Sequence, residues 1–296
     1  MRVFVTGATG FIGSAIVQEL IGAGHEVLGL ARSDAAAELL IAAGARVHRG
    51  DLNDAGSLHR GAAASDGVIH TGFIHDFSRF REVCETDRRA IEALGAALAG
   101  TDRSLIVTSG VGLLTPGQVS SEEDMPRAGA SPRASEEAAD AVAARGVRVS
   151  VVRLPPSVHG DGDHGFVPII IGMAREKGVS VYKGEGLNRW SAVHRLDAAH
   201  LFRLVLEQAP AAGSRFHGVA EEGIAFRHIA EVIGKRLNIP VVGKSPEEAA
   251  RHFSWFAHFA DLDCPASCRQ TRERLGWQPV QPGLLADIDR DNYFSL

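Results

Sequence analysis

The first twenty-three residues, MRVFVTGATGFIGSAIVQELIGA, constrain the fold more than any other stretch. Val3, Phe4 and Val5 form an unbroken apolar run, the pattern of a strand buried on both faces of a parallel sheet. Glycines follow at Gly7, Gly10 and Gly13. Ile12, Ala15, Ile16 and Leu20 then recur at the three-to-four spacing of an amphipathic helix. Strand, glycine turn and helix N-terminus in that order make a phosphate site. The turn lets the backbone approach a pyrophosphate, and the free N–H groups and the helix dipole favour its charge. The spacing is GxxGxxG, and no Lys-Ser/Thr comes after it, which excludes a nucleoside-triphosphate P-loop. These residues predict a nicotinamide dinucleotide held by Gly7, Thr9, Gly10, Phe11, Ile12 and Gly13.

The run TGATGFIGS resembles the TGxxGxxG fingerprint of the extended and atypical short-chain dehydrogenases/reductases, a group that includes nucleotide-sugar epimerases and dehydratases. Other landmarks of that family recur in order along nearly the whole chain. The resemblance implies an α/β protein, a Rossmann doubly wound parallel sheet with a smaller C-terminal substrate lobe. The dinucleotide-binding domain is expected over 1–160 and the substrate side over 161–296, with 190–225 returning to the Rossmann core.

The 296 residues suffice for such a pair of bodies and for a sizeable core. Apolar residues at 45% and charged ones at 23% are ordinary for a soluble globular protein. A formal charge of −5 without a basic block disfavours nucleic-acid and anionic-membrane partners. No apolar run approaches the ~18–20 residues of a membrane span. The opening strand carries no charged leader or cleavage site. Cys84, Cys264 and Cys268 are too few for a disulfide framework, so a cytoplasmic protein is expected. Cys264 and Cys268 form a lone CxxxC, short of the roughly four ligands a structural metal takes, and no metal is expected.

The residues just past the second strand, a strand expected over His25–Leu30, set cofactor choice. An acidic residue about twenty positions after the glycines bonds a ribose 2′-OH, whereas an arginine suits a 2′-phosphate. Arg32 and Ser33 stand where NAD binders carry the carboxylate, and a guanidinium can fork onto a phosphate. NADP(H) is preferred on this reading. NAD(H) is possible, because a shift of one or two residues would bring Asp34 to the ribose.

Gly50-Asp51-Leu52 resembles the family's GDL motif, which implies Asp51 near the adenine amino group and Leu52 against the ring. Asp51 also suits the N-cap of a helix starting at Asn53-Asp54. Gly67-Val68-Ile69-His70 resembles the VIH end of the family's fourth strand, and Thr71, Gly72 and Phe73 should then pass beneath the ribose and pyrophosphate. Ligands in open α/β sheets sit outside the carboxyl ends of the strands, so His75 is placed to reach nicotinamide or substrate. Pro155, Pro156, Ser157 and Val158 resemble the RPxxVYG segment that lies against the carboxamide, with His159 in place of Tyr.

Hydride transfer between a carbonyl and a nicotinamide needs a donor to the substrate oxygen and a group to steady it. The family uses a Ser/Thr after strand five and a Tyr-x-x-x-Lys pair on the next helix. Here the tyrosines are Tyr182 and Tyr293, and neither has a lysine at that spacing. Laid on the family's YxxSK through Ser135, the segment Ser131–Ala138 puts Pro132 for Tyr and Glu136 for Lys. Pro132 then suits the first turn of a helix running to Arg145. Where the family reads TSS, the chain has Thr108-Ser109-Gly110, leaving Ser109 as the nearest hydroxyl for both nicotinamide and substrate. Thr86-Asp87 replaces an Asn on the helix expected over 78–99. That helix often pairs two copies, so a monomer or homodimer is expected.

Asp161-Gly162-Asp163-His164-Gly165 lies on the substrate side. His164 is the candidate general acid because imidazole titrates near working pH; a plain surface turn is the alternative. Trp190–Asp197 resembles a second substrate-side segment, with Arg195 and Asp197 as an ion pair or a holder of a substrate anion. Phe253, Trp255, Phe256 and Phe259 fall at the helical spacing of a core stripe, in a lobe that in this family roofs the substrate. The chemistry expected is an NAD(P)H-dependent oxidoreductase of atypical short-chain type, reducing a small-molecule carbonyl or related unsaturated group. Ser109, His164 and His75 are its candidate catalytic residues. A nucleotide-sugar-type epimerase or dehydratase with bound NAD(P), and a non-catalytic NADP-binding regulator, are the alternatives.

Overall fold

In the computed structural model, which describes residues 1–127, 129 and 131–295, strand and helix alternate through the first half. The order is β1 (Arg2–Thr6), α1 (Phe11–Gly22), β2 (Glu26–Ala31), α2 (Asp34–Ala42), β3 (Arg46–Arg49), α3 (Ala55–Ala63), β4 (Gly67–His70), α4 (Phe80–Leu98), β5 (Ser104–Gly110), α5 (Ser135–Ala143) and β6 (Arg148–Leu154). The second half begins with β7 (Ser157–His159), α6 (Phe166–Lys177), β8 (Ser180–Lys183), β9 (Arg189–His194), α7 (Arg195–Gln208) and β10 (Ser214–His217). It ends with β11 (Glu221–Ala225), α8 (Phe226–Leu237), β12 (Val241–Lys244), α9 (Pro246–Phe253), α10 (Ala257–Ala260), α11 (Arg269–Leu275) and α12 (Leu284–Ile288).

The main sheet is wholly parallel, in the order β3-β2-β1-β4-β5-β6-β10. The order reverses between β1 and β4, the switch point at which open α/β sheets bind ligands. The apolar strands are what a sheet covered on both faces requires. Val3 and Val5 point into one core with Ile69, Ile106 and Phe202, and Phe4 points into the opposite one with Leu94, Leu105 and Val142. This is the two-residue alternation of a strand. A third core gathers Trp190, Phe226, Phe253 and Phe256 beneath the C-terminal lobe. That lobe holds a three-stranded sheet, β11-β9-β7, and the pair β12-β8.

The chain passes between these bodies more than once. α7 packs on α1, and β10 adds the seventh strand beside β6. Trp277, fully buried, closes the same core, its Nε1 donating to the Asp197 carbonyl at 3.0 Å. Among the described residues no helix is long and apolar enough to cross a membrane. No group of three or more His, Cys, Asp or Glu side chains among them is arranged to hold a metal ion.

Three local expectations are corrected. α5 begins at Ser135, so Pro132 lies outside the helix and is exposed. The N-cap of α3 is Asp54, which accepts the Ser57 N–H at 2.9 Å. Asp51 stands too far upstream for that role and folds onto the Asn53 backbone N–H and side-chain amide at 2.9 and 2.8 Å. Arg195 does not pair with Asp197, whose carboxylate is occupied by the backbone N–H groups of Val280 and Gln281 at 3.0 and 3.1 Å.

Candidate functional site

The glycine turn leaves β1 at the switch point. Gly7 has φ +67°, and a Cβ there would stand 2.7 Å from the Gly72 nitrogen, so the turns after β1 and β4 are in backbone contact. A Cβ on Gly13 would stand 2.0 Å from the Gly7 carbonyl oxygen, which seats α1 directly on the turn. Gly10 is exposed, and a Cβ there would also press on the Gly7 carbonyl oxygen, at 3.2 Å. No side chain caps α1, its first turn carries no acidic residue, and its first helical bond runs from Ser14 N–H to Gly10 carbonyl at 2.8 Å. The N–H groups of Phe11, Ile12 and Gly13 are therefore left for an anion. The residues fit a dinucleotide pyrophosphate. Thr9 is exposed at the rim of the turn.

On the adenosine side, Ser33 caps α2 by accepting the Ala36 N–H at 3.2 Å. Asp34 is held by Arg49 at 2.6 Å. Arg32 is exposed and makes no hydrogen bond or ion pair among the described residues. Half-buried Leu52 borders Gly72, its Cδ2 lying 3.0 Å from where a Gly72 Cβ would be. The Thr71 hydroxyl donates to the Thr6 carbonyl at 2.8 Å, and Gly72 N–H donates to the Thr6 hydroxyl at 3.2 Å.

At the carboxyl ends of β4 and β5 the family's catalytic positions are filled differently. Ser109 is buried, and its hydroxyl donates to Glu136 Oε1 at 2.8 Å. Glu136, at the lysine position, is gripped by the fork of Arg153 at 2.9 and 2.8 Å and by Arg215 at 3.1 Å. Burial alone would push this carboxyl up; the hydrogen bond and charge of Arg153, with Ser109 and Arg215, outweigh it and hold Glu136 below the usual range. The lysine position has thus become the centre of a buried ion cluster, and Ser109 belongs to it.

A second buried chain runs beside it. Ser135 donates to Asp87 Oδ2 at 2.5 Å, and Asp87 Oδ1 lies 3.1 Å from His70 Nε2. His70 Nδ1 lies 2.7 Å from the Thr6 hydroxyl. An ionised carboxylate only accepts, so His70 Nε2 is the donor in its contact with Asp87. Burial would raise Asp87, but the bond and charge of His70, with Arg133 and Ser135, hold it low. At the open end of the chain, Arg133 Nε donates to Ser135 at 2.9 Å, and its guanidinium lies 3.9 Å from the Phe73 ring centroid.

His75 packs edge-on against Phe73 at 5.4 Å; burial of part of the ring, then the charges of Arg133 and His164, hold it below the usual histidine range. His164 is exposed, donates Nδ1–H to the Gly162 carbonyl at 3.1 Å, and meets Phe11 edge-on at 5.7 Å. Among the described residues no hydrogen bond joins Ser109, His75 and His164. Arg195 ties the 161–165 loop to α1, donating to the Asp161 carbonyl at 2.7 Å and to Ser14 at 3.1 Å, and lying 4.7 Å over Phe11. Burial pushes Asp163 up to about 6, against bonds from Gly165 N–H at 2.7 Å and Tyr293 hydroxyl at 3.2 Å. His159 is bound to Asp287 at 2.8 Å, and burial keeps it low. Pro155 and Ser157 are buried, Pro156 and Val158 partly so; Ser157 Oγ has no hydrogen-bond partner among the described residues. The aromatic stripe divides: Phe253 and Phe256 are core, while Trp255 is 55% exposed and stacks on Phe77 at 6.1 Å.

Sequence reading passes over Arg133 and the chain behind it. The available signal is Asp87, a charge on the apolar face of α4 set by Val83, Ala90, Ile91 and Leu94.

Residues 3–217 match the NAD dependent epimerase/dehydratase family. The chain is 50% identical to the uncharacterized protein C2A9.02 of Schizosaccharomyces pombe over 296 residues, covering 99% of this chain and 100% of that one. It is 29% identical to a 2-alkyl-3-oxoalkanoate reductase of Stenotrophomonas maltophilia, covering 83% and 78%. The structure of DesIV, a dTDP-glucose 4,6-dehydratase from Streptomyces venezuelae with NAD and TYD bound, superposes with a TM-score of 0.78 at 21% identity, covering 100% of this chain and 97% of that one. With its parallel sheet and glycine turn, the chain belongs to the NAD dependent epimerase/dehydratase family, within the short-chain dehydrogenase/reductase superfamily.

Proposed function

We propose that this chain is an NADP(H)-preferring oxidoreductase of the atypical short-chain type, acting on a small carbonyl or related unsaturated group. The observation that carries the reading lies at the carboxyl ends of β1 and β2. Arg32 is exposed and unpaired among the described residues at the end of β2, one sheet position from the β1 turn whose helix leaves its first N–H groups open, while Asp34 is engaged by Arg49. An open guanidinium forks onto a 2′-phosphate; a carboxylate consumed in an ion pair is poorly placed for a 2′-OH. When bound, the nicotinamide dinucleotide supplies or accepts the hydride. The chain's own residues hold its pyrophosphate through Phe11, Ile12 and Gly13 N–H groups and seat the adenine by Asp51 and Leu52. They present the substrate oxygen at the ends of β4 and β5. A relative named as a reductase supports the reductive reading, and a UDP-glucose 4-epimerase of Streptomyces lividans, 26% identical over 99% of this chain, supports an epimerase or dehydratase as the second reading. On this reading the partner is a small molecule rather than nucleic acid or membrane, and the protein works in the cytoplasm as a monomer or homodimer.

The test is fluorescence titration with NADPH and NADH. Wild type should bind NADPH about tenfold more tightly or better, and Arg32→Ala should abolish that preference, a change of roughly 1.4 kcal/mol. Equal affinities in the wild type would remove the NADP preference, and binding of neither would remove the oxidoreductase reading.

A further inference from the structure

The family's proton-handling pair has no counterpart at its own positions. Pro132 is exposed outside α5, and Glu136 is consumed by Arg153, Arg215 and Ser109. The side chain that does enter this corner comes from the residue just after Pro132. Arg133 is half-buried, its guanidinium 3.9 Å from the Phe73 ring centroid and its Nη2 3.5 Å from the Thr108 carbonyl. That places a positive charge at the ends of β4 and β5 together. Its Nη1 has no hydrogen-bond partner, and no carboxylate lies within ion-pair distance of it, among the described residues.

The nearest buried carboxylate is held one residue back. Asp87 attracts the guanidinium, but Ser135 stands between them, donating to Asp87 at 2.5 Å and accepting Arg133 Nε–H at 2.9 Å. The inner edge of the guanidinium is thereby fixed, Nη2 rests against the Thr108 carbonyl at 3.5 Å, and Nη1 and the second Nη2 hydrogen are left over. A direct bidentate pair with Asp87 would have used them up. His70 and Thr6 complete the chain and lock Asp87 in place. The arrangement aims an anchored, charged fork at the mouth of the sheet.

We propose that Arg133 anchors the substrate through a carboxylate, a planar oxyanion carried on an apolar body beside the group that is reduced. This rests on the oxidoreductase reading above. A guanidinium matches two coplanar oxygens with two parallel N–H bonds and does not hand over its proton, so it favours an anion that is already delocalised. The apolar body is met by Phe73, with Phe77 beyond it against Trp255 and Phe259. Ser135, Asp87 and His70 are positioning residues.

Benzoate is the probe, titrated calorimetrically into the NADP⁺-saturated protein, with NADP⁺ affinity measured on the same samples. The wild type should bind benzoate. Arg133→Gln should weaken it about tenfold or more. Arg133→Lys should recover only part of that, because an ammonium keeps the charge and loses the fork. Ser135→Ala should weaken benzoate severalfold, and NADP⁺ affinity should stay within about twofold in all three. Benzoate affinity should be level from pH 6 to 9, since guanidinium groups stay protonated there. Undiminished binding to Arg133→Gln, or affinity that falls as pH rises through the imidazole range, overturns the proposal. Intact NADP⁺ binding without benzoate binding overturns the role of Arg133 alone; a wild type that binds no NADP⁺ takes down the oxidoreductase reading as well.

Discussion

The turn after β1 and the corner between β5 and α5 lie at the same edge of one sheet and are built on opposite principles. The turn works through main chain: its glycines bring backbone to backbone, and the groups it offers are peptide N–H. The corner works through side chains, with Glu136 held by two arginines and Arg133 anchored through Ser135 to Asp87. A site made of backbone tolerates change in most side chains but no added Cβ. A site made of buried charges fails when one partner is removed.

The largest expected effect falls on the corner. Glu136→Ala strands Arg153 in the interior and should lower the free energy of unfolding by about 3–5 kcal/mol in urea, with NADP⁺ affinity nearly unchanged. If NADP⁺ affinity fell with stability, the two regions would be one unit and the contrast would fail.

Next is the pH response. Asp163 is raised in the folded protein to about 6, against ~3.9 for an unfolded aspartate. The folded state therefore holds this proton longer, and the contribution of Asp163 to stability is fully present below pH ~4 and is lost as pH rises through about 6. Asp163→Asn should remove that decline and be more stable than the wild type at pH 8 by on the order of 2–3 kcal/mol in thermal or urea unfolding. Identical pH profiles for the two proteins would show that the carboxyl does not carry it. The backbone-built turn carries no titrating group, so affinity for NAD⁺, which lacks the 2′-phosphate, should stay level over the same range.

The smallest stability effect belongs to the turn. Gly13→Ala sets a methyl 2.0 Å from the Gly7 carbonyl oxygen. It should cost about 1–3 kcal/mol in stability while removing most NADP⁺ binding, the reverse of the Glu136 variant. Full retention of NADP⁺ affinity would mean that the turn is not the seat of the coenzyme.

Legibility in the chain divides along the same line. The β1 turn can be read because its strand, glycines and helix lie within two dozen consecutive positions, and the helix announces itself by periodicity. The long segment between β5 and α5 has no period to read, so Pro132 suggests a helix start that the backbone delays to Ser135. The polar chain draws Thr6, His70, Asp87 and Ser135 from four separate elements. Its one local sign is a carboxylate on an apolar helix face. Asp51 and Asp54 show the same limit at small scale: both suit a cap, and only the backbone decides between them.

Trp277 sits wholly inside the core that backs the opening strand, and β10 completes the sheet from residues beyond 213. On the ribosome, then, β1 must wait for Trp277 to be made before its core can close. Vectorial synthesis cannot finish the coenzyme-binding half before the far lobe has been made. Until then its apolar flank lies uncovered, open to whatever chaperone attends the nascent chain.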